Sequence, residues 1–566
     1  TASRFVGGAL VGNYTVNPSL PASATNFIDL NTMSTNLSTF GVCGPVSITV
    51  SSGNYTSNIS LDNVEGSGAN NPILIDGVDS SLTFVTYPGN GIGIGAISIN
   101  NTDNVTIKNF SLEASANSNA VGAIIANSSN ITVSNCYMEV DTVSTSSSLN
   151  GISISSNITG NSSGGSGRNI RFENNTIKGG YYGFYAYGST GEAIQNIQLI
   201  NNTFSRPYYY GLYTYYCDTL DLIGNNINLM DRANVNADGA YIYYTSNARI
   251  NGNNISAPDY GLYYYIFTYN WPKTIKTEFI NNMIYSDTDF GLYIYYADSV
   301  DIFHNTVVSN SSSSSAVRLY GTGSNSQDFD VRNNIFYSNG ADALNTNVSD
   351  LTMFSVFDYN NFYTTGSSLL TINGTPYSDL ASYVLAQPGF NANSIEGNPI
   401  FVNVNSDLHL LGTLVNGQGD NTVGVTTDID GDLRPLSGST IVDMGADEFD
   451  PPSCPPPTAV TITNATFTTA DLNITGGASS TWTYEYGSVG FTPGTGTFGT
   501  AATAISTITG LTSGSAYDLY IREICTATDS SPQVGPYSFV TAYGVPYSED
   551  FENFTVGETG PNFSNG

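Results

Sequence analysis

The sequence predicts an all-β chain whose larger part is a right-handed parallel β-helix of about twelve coils, and three observations lead there. A Gly followed by a short alternating apolar segment recurs at Gly95, Gly122, Gly151, Gly183, Gly211, Gly239, Gly261 and Gly291, with degenerate copies at Ala316 and Ala343. Asn residues, often paired, lead into an apolar residue in the same register, as in Asn174-Asn175-Thr176-Ile177, Asn225-Asn226-Ile227 and Asn281-Asn282-Met283-Ile284. Gly, Ser, Thr and Asn dominate, with 39 Tyr against 2 Trp and 11% charged residues, a composition that favours turns and strands over long helices.

The spacings between successive repeats are 27, 29, 32, 28, 28, 22, 30, 25 and 27 residues. Such irregularity suits coils whose turns absorb insertions, and it does not suit a helical-repeat array. The Asn run predicts an internal ladder. Asn tolerates a left-handed backbone at a tight corner, and its amide both donates and accepts, so stacked copies can bond from coil to coil. Segments such as Asn104-Val105-Thr106-Ile107 and Ser299-Val300-Asp301-Ile302-Phe303 supply second strands with alternate residues inward.

Open solenoid ends expose unpaired strand edges and need covers. Phe27, Leu30, Met33, Leu37 and Phe40 recur at helical spacing, which predicts a cap helix over 23–40; a second short helix is expected over 377–386. The expected divisions are 1–43 for a strand and cap helix, 44–373 for the coils and 374–450 for the closing cap. A Pro-rich linker at 451–457, a seven-stranded module at 458–544 and the start of a further β domain at 545–566 follow.

The closing motifs Gly397-Asn398-Pro399-Ile400-Phe401-Val402, Asp407-Leu408-His409-Leu410 and Gly445-Ala446-Asp447-Glu448-Phe449 resemble the ends of β-helix proteins of the pectin-lyase-like group among secreted Bacteroidetes proteins. Trp482 and the run Tyr517-Asp518-Leu519-Tyr520-Ile521-Arg522 resemble a fibronectin type III sandwich, the first as core Trp and Tyr517 as tyrosine corner. That second resemblance implies a disulfide between Cys454 and Cys525. Ser548-Glu549-Asp550-Phe551 resembles the first strand of a jelly-roll domain of the MAM or lectin kind.

With 14 Lys plus Arg against 46 Asp plus Glu, the net charge of −32 repels phosphate backbones and anionic membrane surfaces, and attracts divalent cations. Nucleic acid is excluded as a partner. No run of about 20 apolar residues is present, so direct membrane insertion is not expected; a secreted or cell-surface location is.

The most distinctive outer feature is a Gly-x-Tyr-x-Tyr stripe: Tyr185 and Tyr187, Tyr213 and Tyr215, Tyr241 and Tyr243, Tyr263 and Tyr265, Tyr293 and Tyr295. If Leu212 and Thr214 point inward, both tyrosines of each coil point out and stack into two columns. Such columns suit sugars or a protein partner, including a second copy, and equally suit plain stacking that stabilises the sheet.

No catalytic residues are assigned. Polygalacturonase-type hydrolysis needs clustered Asp with Gly-His-Gly and Arg-Ile-Lys signatures, and neither His304 nor His409 lies in such a context. Lyase chemistry needs a basic residue beside the substrate acid. Arg168, Arg171 and Lys178, and Lys273 with Lys276, are the local basic groups, and they read as loop residues. Asp428, Asp430 and Asp432 in Asp-x-Asp-Gly-Asp resemble the start of a calcium loop, yet its twelfth position is Ser439 rather than Glu. No cofactor is required, and calcium is the cation to test. The sequence thus points to an adhesin-like or structural protein binding surface glycans or other proteins, with a polysaccharide lyase or glycoside hydrolase as the alternative.

Overall fold

Each coil consists of three short strands whose alternation decides what fills the interior. In Tyr210–Ile223, Leu212, Thr214, Cys217, Leu220 and Leu222 turn inward and are fully buried, while Tyr213, Tyr215 and Asp221 take the outer side. A computed structural model describes residues 8–544 except 89–93, 116–118, 161, 267–274, 322–325, 348–350 and 477–480. The expected further domain at 545–566 lies outside the described residues. The chain divides into two units, one of residues 1–410 and 414–450, the other of 411–413 and 451–566.

The first unit is a right-handed parallel β-helix of about twelve coils. Gly-led strands and the strands after them join a 25-stranded sheet, and the third strands form a separate 13-stranded sheet. The Gly column follows from close stacking. A Cβ on Gly211 would lie 2.3 Å from the Gly239 carbonyl oxygen, and one on Gly239 would lie 2.4 Å from that of Gly261. Below Gly291 that approach widens to 3.0 Å, and Ala316 and Ala343 replace glycine.

The Asn ladder runs through Asn175, Asn202, Asn225, Asn253, Asn282, Asn305, Asn334 and Asn360, each 0–1% exposed. Asn253 shows the pattern: its N–H and its Nδ2 both donate to Asn282 Oδ1, at 3.0 and 2.9 Å, and Nδ2 also donates to Leu222 O at 2.8 Å. The ladder begins where Cys136 N–H donates to Asn175 Oδ1 and ends where Asn360 N–H donates to Ser394 Oγ, both at 2.9 Å. Two roles expected of one residue are divided between neighbours. The left-handed corner is taken by the residue before each ladder Asn: Asn174, Asn201, Gly224, Gly252, Asn281, His304, Asn333 and Tyr359 all have φ between 53° and 66°.

The N-terminal cover differs from the expected 23–40 helix. Asn26–Phe27 pairs as a strand with Thr15 and Val16, and α1 spans Leu30–Phe40 behind an Asp29 N-cap that accepts from Thr32 N–H. Leu30, Met33 and Leu37 plug the interior core, and Ser34 and Ser38 hydroxyls accept the Ser60 and Asp62 N–H groups of the first Gly-sheet strand. At the far end α2, Leu380–Ala386, seats Leu380 and Tyr383 in the same core. The rest of the closing region does not sit on the end. Phe401, Leu408, Leu410, Val415, Met444 and Ala446 pack with Met283, Tyr285, Val308 and Ile335, so this segment folds back along the outer face of the third sheet. The apolar outer side of those strands requires that cover.

The second unit contains an antiparallel three-stranded sheet, Ala459–Thr463, Thr469–Thr475 and Ile505–Thr509, and a four-stranded one, Thr497–Ala501, Trp482–Ser488, Ala516–Glu523 and Val534–Val540. Trp482 is 4% exposed, and the Tyr517 hydroxyl accepts Thr512 N–H at 2.8 Å. Cys454 and Cys525 are joined by a disulfide.

Candidate functional site

The Gly-led strands place all ten stripe tyrosines on the outer side of the solenoid. Nine are half-buried and Tyr265 is 9% exposed. In the first column, Tyr185, Tyr213, Tyr241 and Tyr263 stack with centroids 5.8, 5.7 and 4.6 Å apart and planes within 14°. Tyr293 ends this column edge-on to Tyr263. In the second, Tyr187, Tyr215, Tyr243, Tyr265 and Tyr295 stack at 4.4–4.8 Å, and Tyr320 extends the column at 4.6 Å.

This geometry changes what the stripe can offer. Ring faces meet one another along the stack, so edges and hydroxyls remain for solvent. The two columns differ in their hydroxyls. Those of Tyr215, Tyr243 and Tyr295 are tied to the corner tyrosines Tyr216, Tyr244 and Tyr296. The hydroxyls of Tyr185, Tyr213, Tyr241, Tyr263 and Tyr293 have no protein hydrogen-bond partner among the described residues. Burial beside other tyrosines raises the phenol pKa throughout the first column, so these groups stay protonated and can both donate and accept.

The face has defined limits. Upstream, residues 156–160 and 162–167 cross the sheet, with Gly165 N–H donating to Tyr187 O at 2.9 Å and Ile158 packing with Val121 and Ile124. Ser153, in register with Tyr185, is fully buried there. Downstream, Arg318 takes the next position of the first column, below Tyr293. Its guanidinium carbon lies 5.3, 5.6 and 6.0 Å from the ring centroids of Phe290, Tyr293 and Tyr320.

One edge carries residues that reading forward from each Gly misses. The position before the Gly is filled coil by coil by Tyr182, Tyr210, Asp238, Tyr260 and Phe290, and the position before that by Tyr181, Tyr209, Ala237, Asp259 and Asp289. Aligning the repeats on the glycines would have exposed both columns. Asp238 is 4% exposed and accepts the Tyr260 N–H at 3.3 Å. Burial, reinforced by the Asp259 charge, lifts its carboxyl to about 8; burial and the Asp289 charge lift Asp259 to about 6.

The basic residues singled out in the sequence are largely engaged: Arg171 with Glu173 at 2.8 Å, Lys178 with Glu139 at 3.1 Å and Lys276 with Asp301 at 2.9 Å. Lys273 lies outside the described residues. The three aspartates of the calcium-loop pattern take different partners. Asp428 accepts the N–H groups of Asp430, Asp432 and Glu448 at 3.0, 2.8 and 2.9 Å; Asp430 reaches His409; Asp432 is exposed. Arg434 is buried and paired with Glu448 at 2.8 Å. Among the described residues no helix is long and apolar enough to cross a membrane.

A family model described as a right handed beta helix region matches residues 140–327. Among solved structures, the A-module of a mannuronan C-5 epimerase from Azotobacter vinelandii is similar at 14% identity, over 59% of this chain and 84% of that one, with a TM-score of 0.36. A mannuronic acid specific polysaccharide family 6 lyase from human gut microbiota is similar at 13% identity, over 68% and 91%, with a TM-score of 0.35. An fn3 domain of human collagen alpha-1(XX) is similar at 18% identity, over 17% and 92%, with a TM-score of 0.15. A search of curated protein sequences finds no match. At these identities none of these structures carries an activity over to this chain.

Proposed function

We propose that the solenoid binds a polysaccharide strand along its tyrosine face and that the chain is an extracellular or cell-surface adhesin-like protein. One observation carries this reading: a column of protonated, unshared phenol hydroxyls repeats once per coil on a preformed surface. Sugar hydroxyls need groups that both donate and accept, and a rigid array supplies them without ordering loops. The net charge of −32 favours a neutral glycan over a polyanionic one. On this reading the fibronectin type III-like unit is a spacer, and a protein partner or second copy competes for the same face.

A second reading, a carbohydrate-active enzyme, is favoured by Asp238 and Asp259. Near neutral pH the first holds its proton and the second is ionised, the division of labour between a general acid and a general base. A glycan array on the full chain, run beside reducing-sugar and unsaturated-product assays, separates the two. Binding without turnover supports the adhesin reading. Turnover abolished by Asp238→Asn supports the enzyme, and binding of no glycan sinks both.

A further inference from the structure

The closing segment brings together three side chains from three separate stretches of chain. His409 Nε2 lies 2.9 Å from Asp430 Oδ2, and one ligating atom each of His409, Asp430 and Asp447 falls within 4.8 Å of the others. These stretches are cross-tied. Leu410 N–H donates to Asp447 Oδ2 at 2.8 Å, fixing the strand that carries His409 to the segment that carries Asp447. Asp428 holds the turn bearing Asp430 through two N–H groups and the same segment through Glu448 N–H. Asp428 therefore fixes the backbone from which Asp430 projects.

His409 is oriented as a ligand. Asp407 Oδ1 lies 2.5 Å from Nδ1 and holds the proton there, so an ion would be taken by Nε2 in place of the proton it shares with Asp430 Oδ2 at 2.9 Å. Asp447 is 6% exposed, and among the described residues Leu410 N–H is the donor to its carboxylate, so its second oxygen has none. Arg434, a buried cation of the same closing segment, is committed to Glu448. That second oxygen is open to an added ligand and can take a cation.

We propose that His409, Asp430 and Asp447 form a site for a divalent first-row transition cation of the zinc class, oriented by Asp407 and completed by water. An imidazole nitrogen among carboxylates suits such ions, whereas calcium prefers oxygen ligands alone. Zinc bonds of about 2.0–2.2 Å place ligand atoms roughly 3–3.5 Å apart, a spread that side-chain rotation reaches from 4.8 Å. The ion would clamp the hairpin strand Asp407–Leu410 to the two segments that fold back along the third sheet.

The test is calorimetric titration of the full chain, stripped with EDTA and checked for strand signal by circular dichroism, with zinc and separately with calcium. One zinc per chain is expected, with calcium far weaker. His409→Ala and Asp430→Asn abolish that binding, Asp407→Asn weakens it about tenfold or more, and Asp432→Asn leaves it unchanged. Zinc K-edge absorption should show nitrogen and oxygen ligands without sulfur, distinguishing the site from the exposed thiol of Cys43. A folded chain that binds no zinc overturns the proposal. So does zinc binding unaltered by His409→Ala, a sulfur ligand, or calcium binding lost on Asp432→Asn.

Discussion

Asp238 stands in strand register with Tyr210, in a column that Tyr182 heads and Tyr260 and Phe290 continue. A carboxyl group thus occupies an aromatic position at the edge of the tyrosine face, 4% exposed.

That burial has a pH signature. Folded Asp238 keeps its proton to about pH 8, whereas an unfolded Asp ionises near 3.9. The folded state binds more protons in between, so stability from this group is full below about pH 4 and is lost as pH rises toward about 8. Asp238→Asn should flatten that decline in urea unfolding midpoints measured from about pH 5 to 9; an unchanged slope would count against the buried acid.

His304 should act in the opposite sense. It is 1% exposed, and burial together with the Arg434 charge holds its pKa well below 6.5. The unfolded chain therefore takes up a proton that the folded chain refuses, and stability falls as pH drops below about 6.5. His304→Asn places at this left-handed corner the residue found at Asn281 and Asn333, and should lessen acid lability. Thermal melts at pH 7 and at about pH 5 check this.

Asn253→Leu removes a side chain that accepts from Asn225 and donates to Asn282 and Leu222. Buried N–H groups left without acceptors cost about 1–3 kcal/mol each. Asn254→Leu, at an exposed neighbouring position, should change stability by less than about 0.5 kcal/mol. Equal losses in denaturant unfolding would contradict a ladder that runs through the first Asn of this pair.

Gly239→Ala should destabilise by about 1–3 kcal/mol, because its Cβ would meet the Gly261 carbonyl oxygen and Ile255 Cγ2, both at 2.4 Å. Ala316→Gly, at a coil where the column has relaxed, should lose less than about 1 kcal/mol. Similar losses at both positions would remove the steric account of the repeat.

The repeat and the ladder were legible because stacking imposes one demand at the same point of every coil. Asn305 escaped because it stands alone, with His304 before it and Thr306 after it, where the other ladder positions carry an Asn pair. The 23–40 helix was overextended because Phe27 fits the helical apolar spacing, yet pairing with Val16 satisfies its backbone instead. The fold-back of the closing segment was hidden because Met283, Val308 and Ile335 face outward at positions that in other coils are polar, a signal that appears once the three strands of each coil are aligned. Asp238 and Asp259 were passed over because reading each coil forward from its Gly leaves out the two positions before it.

On the proposed reading, unshared hydroxyls of the first tyrosine column recognise a glycan. The direct measurement is the affinity of the full chain for its best array polysaccharide, compared with a variant carrying Tyr213→Phe, Tyr241→Phe and Tyr263→Phe. Phenylalanine keeps the stacks and removes three hydroxyls, so the melting temperature should hold while affinity falls at least about tenfold, given about 0.5–1.5 kcal/mol per hydrogen bond. Binding as tight as that of the unaltered chain, at equal stability, would contradict the account.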